Sequence, residues 1–162
     1  MLALGLAILR LTLSVVFVIH GANKLFGFFG GPGVGPGGLA RTASHFASLG
    51  LEPGVVMAVL AGVIQFAGGL LLGIGFLTRW ASAAILGYLV IGLWKEHAQW
   101  GFFLNWVNDP TRGQGMEYSL VLIAAMVLYV LAGGGDFSVD GWRAEGRASR
   151  AAGRARLRVN RQ

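Results

Sequence analysis

Six polar side chains stand out in a chain otherwise built to avoid water: Arg10, His20, Lys24, Gln65, His97 and Glu117. Each lies within or at the end of an apolar run. A charged group near the middle of a bilayer costs at least about 2.5–3.5 kcal/mol, so it turns toward a cavity or a partner. Arg10, Ser14, Phe17, Gly21 and Lys24 follow one another at steps of four, three, four and three, which aligns them on one helix face with His20 at its border. Gln65 sits near the middle of the second apolar run, His97 ends the third and Glu117 starts the fourth. Helix direction then sorts them by depth. Lys24, His97 and Glu117 belong at one mouth, His20 just below it, and Arg10 and Gln65 deeper. Such a polar funnel offers hydrogen-bond donors to the oxygens of a quinone or a small oxyanion, with aromatic walls around it. In this reading Arg10 and Gln65 hold a substrate oxygen, His20 exchanges protons because histidine titrates near neutral pH, and Lys24 and Glu117 guard the mouth. The sequence marks no residue as catalytic.

Each of these side chains also has a plain structural role open to it. Arg10 can snorkel to the headgroups. Lys24 and Glu117 can sit at the interface, where the helix dipole favours an acid at the N-terminus. His20 can be a packing residue and Gln65 a hydrogen-bonded bridge between helices. No two histidines have metal-ligand spacing, so no metal site is expected. The chain has no cysteine. Disulfides, thiolate chemistry and c-type haem attachment are thereby excluded. No covalent cofactor is expected, and a redox role would need a bound quinone or a partner subunit.

The elements that must position these groups are four apolar stretches, Leu2–Phe28, Val55–Leu77, Trp80–Trp94 and Tyr118–Ala132. Crossing the hydrocarbon takes about 20 mostly apolar residues. The first two clear that length, and the last two reach it when their edges are counted. Hydrophobic residues make up 55% of the 162 and charged residues 12%, about half the charged share of a soluble domain. The expected fold is all-α: a polytopic membrane four-helix bundle. The first run carries Arg10, lacks a basic leader and is long for a signal peptide, so it reads as a retained helix.

Between the first two spans, Gly27–Gly38 is too rich in glycine and proline to continue a helix or strand. Gly33–Gly38 formally matches a nucleotide-binding glycine pattern, but no strand precedes it and Pro36 interrupts it, so it reads as a loop. Leu39–Leu49 follows as a short interfacial helix, with Leu39, Ala43, Phe46 and Leu49 on its apolar face. Gly69 and Gly73 form a small-residue pair suited to close helix contact. The connection His97–Gln114 carries Trp100, Phe102, Phe103 and Trp106 and belongs at the interface or the bundle mouth.

The chain divides at about 140 into a four-span domain and a basic tail, 141–162. The net charge is +6, and Arg143, Arg147, Arg150, Arg154, Arg156, Arg158 and Arg161 crowd the tail. Most recur at steps of three and four, giving a stripe suited to anionic lipids; nucleic acid is not expected as a partner. Together with Arg79 in the tight turn between spans two and three, these arginines place both termini in the cytoplasm of a bacterial inner membrane.

These residues also resemble those of the DoxX family. The first helix supplies Arg10-Leu-x-Leu13, Phe17 and Gly21-x-x-Lys24-Leu25. The second supplies Gln65-x-x-Gly68-Gly69-x-Leu71 and runs into Gly73-Ile-Gly75-Phe-Leu-Thr-Arg79, and His97 and Glu117 complete the set. The resemblance covers about Leu6–Asp140. It implies a four-helix membrane protein, with similar proteins serving as the quinone-linked subunit of thiosulfate oxidation or joining soluble redox enzymes in oxidative-stress complexes. One departure bears on mechanism. The family often carries Glu where this chain has Gln65, and an amide cannot relay a proton. The resulting expectation is a membrane subunit of a quinone-linked oxidoreductase, working with a soluble redox enzyme. The alternative is a non-enzymatic scaffold or permeation protein, and the oligomeric state stays open.

Overall fold

The computed structural model describes the backbone of residues 1–30 and 37–159, and side chains as far as 150. Six α-helices follow in order: α1 Leu2–Phe26, α2 Leu39–Ser48, α3 Gly54–Ile74, α4 Thr78–Gly92, α5 Glu117–Ala132 and α6 Val139–Val159. No strand occurs among the described residues. The glycine pattern from Gly33 lies partly outside the described residues, as do the side chains of Arg154, Arg156, Arg158 and Arg161.

The bundle is inside-out relative to a soluble protein. Along α1 the exposed residues include Leu4, Ile8, Leu11, Val15 and Ile19, a stripe at helical spacing. The buried positions of the same helix include Arg10, Ser14 and Gly21. On α3 the exposed face is Val55, Val59, Val63, Leu70 and Ile74, while Gln65, Gly68 and Gly69 are buried. An apolar surface around a partly polar core suits acyl chains as solvent. By length and composition α1 and α3 are each able to cross a bilayer, and α5 is a shorter apolar helix. α4 is prolonged by a π-helical turn, Leu93–His97, and a 3-10 turn, Ala98–Trp100.

The most extensive helix contact is α1 against α3. It runs antiparallel, with small residues wherever the backbones meet. A Cβ on Gly21 would strike the backbone nitrogen of Phe66, one on Gly69 would lie 3.0 Å from the nitrogen of Val18, and one on Gly73 would lie 2.5 Å from Ser14 Oγ. The Gly69/Gly73 pair is thus the contact surface itself, and Ser14 closes it by donating to the carbonyl of Gly69 at 2.8 Å. Phe17, Leu72, Ile85, Met126 and Tyr129 fill the centre. α2 lays Ala43 and Phe46 over Ala58 and Ala61 of α3.

The chain ends of the elements collect at two poles. One pole holds the start of α1, the α3–α4 turn, the end of α5 and the start of α6. The other holds α2 and the long 101–116 connection. The start of α1 and the start of α6 therefore share one end of the bundle.

Candidate functional site: a cavity at the loop pole

A cavity of about 260 Å³ opens between the four spans at the loop pole. Its apolar walls include Val16, Phe17, Leu89, Leu93, Leu104 and Leu122. Its polar groups include His20, Lys24, Gln65, Tyr88, Glu96 and His97. Four of the six expected residues, His20, Lys24, Gln65 and His97, thus converge on one space. Beside it, under α2, is a second chamber of about 250 Å³ lined by Asn23, Arg41, Thr42 and His45. Lys24, Tyr88 and Glu96 line both chambers and form the partition between them. The Lys24 ammonium lies 6.0 Å from the Tyr88 ring centroid, and Glu96 pairs with His45 Nε2 at 3.3 Å.

Local structure explains how these groups come to face inward. The π-helical turn Leu93–His97 sits at the mouth, and both Glu96 and His97 reach the cavity from it. Turns of this kind recur at functional sites. His97 Nδ1 lies 2.9 Å from the carbonyl of Gln114. A carbonyl can only accept, so Nδ1 carries a proton; in the neutral ring this leaves Nε2 as the acceptor. The Gln65 carboxamide oxygen is buried and makes no hydrogen bond among the described residues. Gln65 lines the cavity, and the last torsion of its side chain is soft.

The connection over the mouth is tightly tied. Asn105 donates to the carbonyls of Asp109 and Arg112 at 2.8 and 2.7 Å, and its own amide donates to Gln114 Oε1 at 2.8 Å. Leu104, Gln114 and Gly115 of this segment line the cavity, while Phe103 and Trp106 point outward. Glu117 acts here rather than in the cavity: its carboxylate accepts from the amide of Leu104 at 3.3 Å and pins the segment to the start of α5.

Arg10 is placed differently from the expected funnel. It is buried, 3% exposed, but at the opposite pole, and it does not line the cavity. It donates to the carbonyl of Phe137, in the turn before α6, and not to Gln65. The reason is depth. Arg10 shares a helix face with Lys24, but the helix carries it past the core layer of Phe17 to the level of Gly75, whose missing Cβ leaves room for the guanidinium. Nε and Nη1 have no hydrogen-bond partner among the described residues.

A second surprise at this pole is Asp140. Leu77 and Thr78 start α4 with no cap from their own segment. Asp140 supplies it from α6, accepting from the Leu77 amide at 3.0 Å, the Thr78 amide at 2.8 Å and the Thr78 hydroxyl at 2.9 Å. Burial alone would raise this carboxyl. The hydrogen bonds from Thr78 and Leu77 and the charge of Arg143 outweigh it and hold the group below the ordinary carboxylate value.

Tyr88, Glu96, Gln114 and Tyr118 were not among the expected site residues, yet all four line the cavity.

The fold and the cavity define a class: an all-helical membrane protein with a polar-mouthed pocket between its spans. The DoxX family model matches residues 5–98, more than half of the chain, and the chain belongs to the DoxX family. No match was found among curated proteins or among solved structures.

Proposed function

We propose that the chain is the membrane subunit of a redox system and that the loop-pole cavity receives the head of a quinone or quinol. The observation that carries this reading is the convergence of Lys24, His20, Gln65 and His97 on one apolar-walled space of about 260 Å³. A quinone supplies two-electron redox chemistry, which a chain without cysteine lacks of its own. Lys24 is suited to donate to one quinone oxygen. Gln65, deeper, can donate to or accept from the other, so both carbonyl and hydroxyl forms find a partner. His97, with Nε2 free, can accept a proton at the mouth, and His20 lies between. Electrons would pass to or from a soluble redox partner. A small oxyanion is the second reading, supported by Lys24, Arg41 and His45 around the adjoining chamber.

Binding of a short-chain quinone analogue to the purified protein in detergent tests the proposal. Removing one charged donor costs about 1.5–3 kcal/mol, so Lys24→Met should weaken binding about tenfold or more. Arg10→Met should leave it unchanged. Absence of binding to the wild type, or equal loss in both variants, would defeat the quinone reading and leave a scaffold or permeation role.

A further inference from the structure

We infer that α6 is a docking arm for the anionic lipid surface on the side of the termini, held at a fixed root by the Arg10 and Asp140 contacts. The inference is independent of what the cavity binds and rests on four observations.

The root is rigidly attached. Asp140 caps α4 through three hydrogen bonds, its amide donates to the carbonyl of Gly75 at 2.9 Å, and Arg10 holds the carbonyl of Phe137. Gly141 packs so closely on the carbonyl of Gly135 that a Cβ there would come within 2.5 Å of it.

The root also sits at headgroup level. Trp80, Phe137 and Trp142 are exposed around it, at 77%, 62% and 79%. Exposed tryptophans at the end of a membrane span mark the interface. The Arg143 guanidinium lies 5.3 Å from the Phe76 ring centroid, so the first arginine of the arm is already turned back on the bundle.

Beyond the root α6 makes no substantial contact with the bundle among the described residues. Arg143, Arg147 and Arg150 are all exposed and, at steps of four and three, share one face. Glu145 falls on the other side, about 160° from that stripe. A cationic stripe that makes no salt bridge among the described residues, on a helix rooted at headgroup level, is complementary to anionic phospholipid.

Length decides how much of the stripe can act. Twenty-one residues extend about 30 Å, whereas surface potential decays over about 8 Å at physiological salt. A helix standing away from the membrane would bring one arginine within range. A helix lying along it brings the whole stripe.

Because the chain contains no cysteine, a single introduced thiol reports unambiguously. Gly146 lies beside the stripe, and a Cβ there would meet nothing within 4 Å, so Gly146→Cys can carry a spin label. The full-length labelled protein is placed in nanodiscs of phosphatidylcholine, with or without phosphatidylglycerol. The ratio of oxygen to aqueous-relaxant accessibility is then read by power saturation. The ratio should rise severalfold on adding phosphatidylglycerol. It should return in high salt, and in the background Arg143→Gln, Arg147→Gln, Arg150→Gln, whose bundle should stay folded on the three hydrogen bonds of Asp140. Three results would overturn the inference: a water-exposed label in both lipids, as for a protein-docking arm; an interfacial label in both, as for purely apolar attachment; or a response unaffected by the triple substitution.

Discussion

Replacing Asp140 with alanine should destabilise the bundle at a place remote from any apolar core. The substitution strips α4 of its cap and leaves the Leu77 and Thr78 amides and the Thr78 hydroxyl without their acceptor. Loss of a helix N-cap costs about 0.5–2 kcal/mol. Thr78 is fully buried, and an abandoned buried donor costs about 1–3 kcal/mol. Asp140 itself is only half-buried, so water recovers part of that, and the expected total is about 2 kcal/mol. The carboxylate also lies within electrostatic reach of Arg10.

The pH dependence follows from the depressed carboxyl. A group whose folded value lies below its unfolded value stabilises the fold fully above the unfolded value, near pH 4 for aspartate. That stability is lost as pH falls through the folded value. Wild type and Asp140→Ala should therefore differ most in thermal midpoint at pH 7, and the gap should narrow as pH falls below about 4, where the neutral carboxyl keeps only an uncharged acceptor. Asp140→Asn keeps an acceptor oxygen and should fall between them at pH 7, with no acid-dependent loss from this site. The assay is thermal unfolding in a single detergent across pH. An alanine variant with the wild-type midpoint at pH 7, or a gap that persists undiminished in acid, would refute the capping argument.

Other outcomes follow from the same geometry. Gly21→Ala drives a methyl into the Phe66 backbone, so α1 and α3 must separate; a loss of about 1–3 kcal/mol is expected in unfolding experiments. Gly75→Ala meets both a left-handed backbone (φ 69°) and the Arg10 guanidinium; it should cost more, and a companion Arg10→Ala should restore part of the loss in a double-mutant cycle. Gly146→Ala meets open space on an exposed helix and should leave stability unchanged or raise it by up to about 1 kcal/mol. Reporter fusions after residue 162 and within α2 should report opposite sides of the membrane.

Apolar run length was enough to place the four bundle helices, of which α1 and α3 are long and apolar enough to cross a bilayer, because lipid imposes one long hydrophobic stretch per crossing. Periodicity was enough to place Leu39–Ser48, to put His20 beside Lys24, and to find the Gly69/Gly73 contact. What could not be read was which polar groups meet across the chain. Asp140 is 62 residues from Thr78 and Phe137 is 127 from Arg10, and no local pattern encodes such pairings. Helical phase fixed the face of Arg10 but not which polar cluster it joins, since a long side chain can reach toward either. Glu117 was rightly placed at the mouth, yet its partner is a loop amide, and loop folding leaves little periodic trace. The π-helical turn that turns Glu96 as well as His97 inward likewise had no signature in hydropathy.

The two poles differ in kind, and the difference bears on mechanism. At the terminal pole several polar groups bond across the chain: Asp140 with α4, one Arg10 nitrogen with Phe137, and Tyr129 with the carbonyl of Leu6 at 2.6 Å, while Arg10 Nε and Nη1 have no partner among the described residues. Small residues let the backbones close there, leaving α1, α3, α4 and the root of α6 as one clamped unit. At the loop pole, His20 and Gln65 make no side-chain hydrogen bond within the described protein, and Lys24 faces open space on both sides. Unsatisfied polar groups in a membrane protein are costly; those at the loop pole border an apolar-walled cavity of about 260 Å³ that can admit a partner, whereas the Arg10 guanidinium is enclosed beside Gly75. A ligand with oxygens at the right depth offsets that cost, which is why the cavity, and not the more strongly charged base, is where binding should be sought. On this argument a bound quinone analogue should raise the thermal midpoint of the wild type and raise it much less in Lys24→Met, while Asp140→Ala, though less stable, should show the full ligand-induced increment. An increment lost in Asp140→Ala but kept in Lys24→Met would place the binding site at the wrong pole.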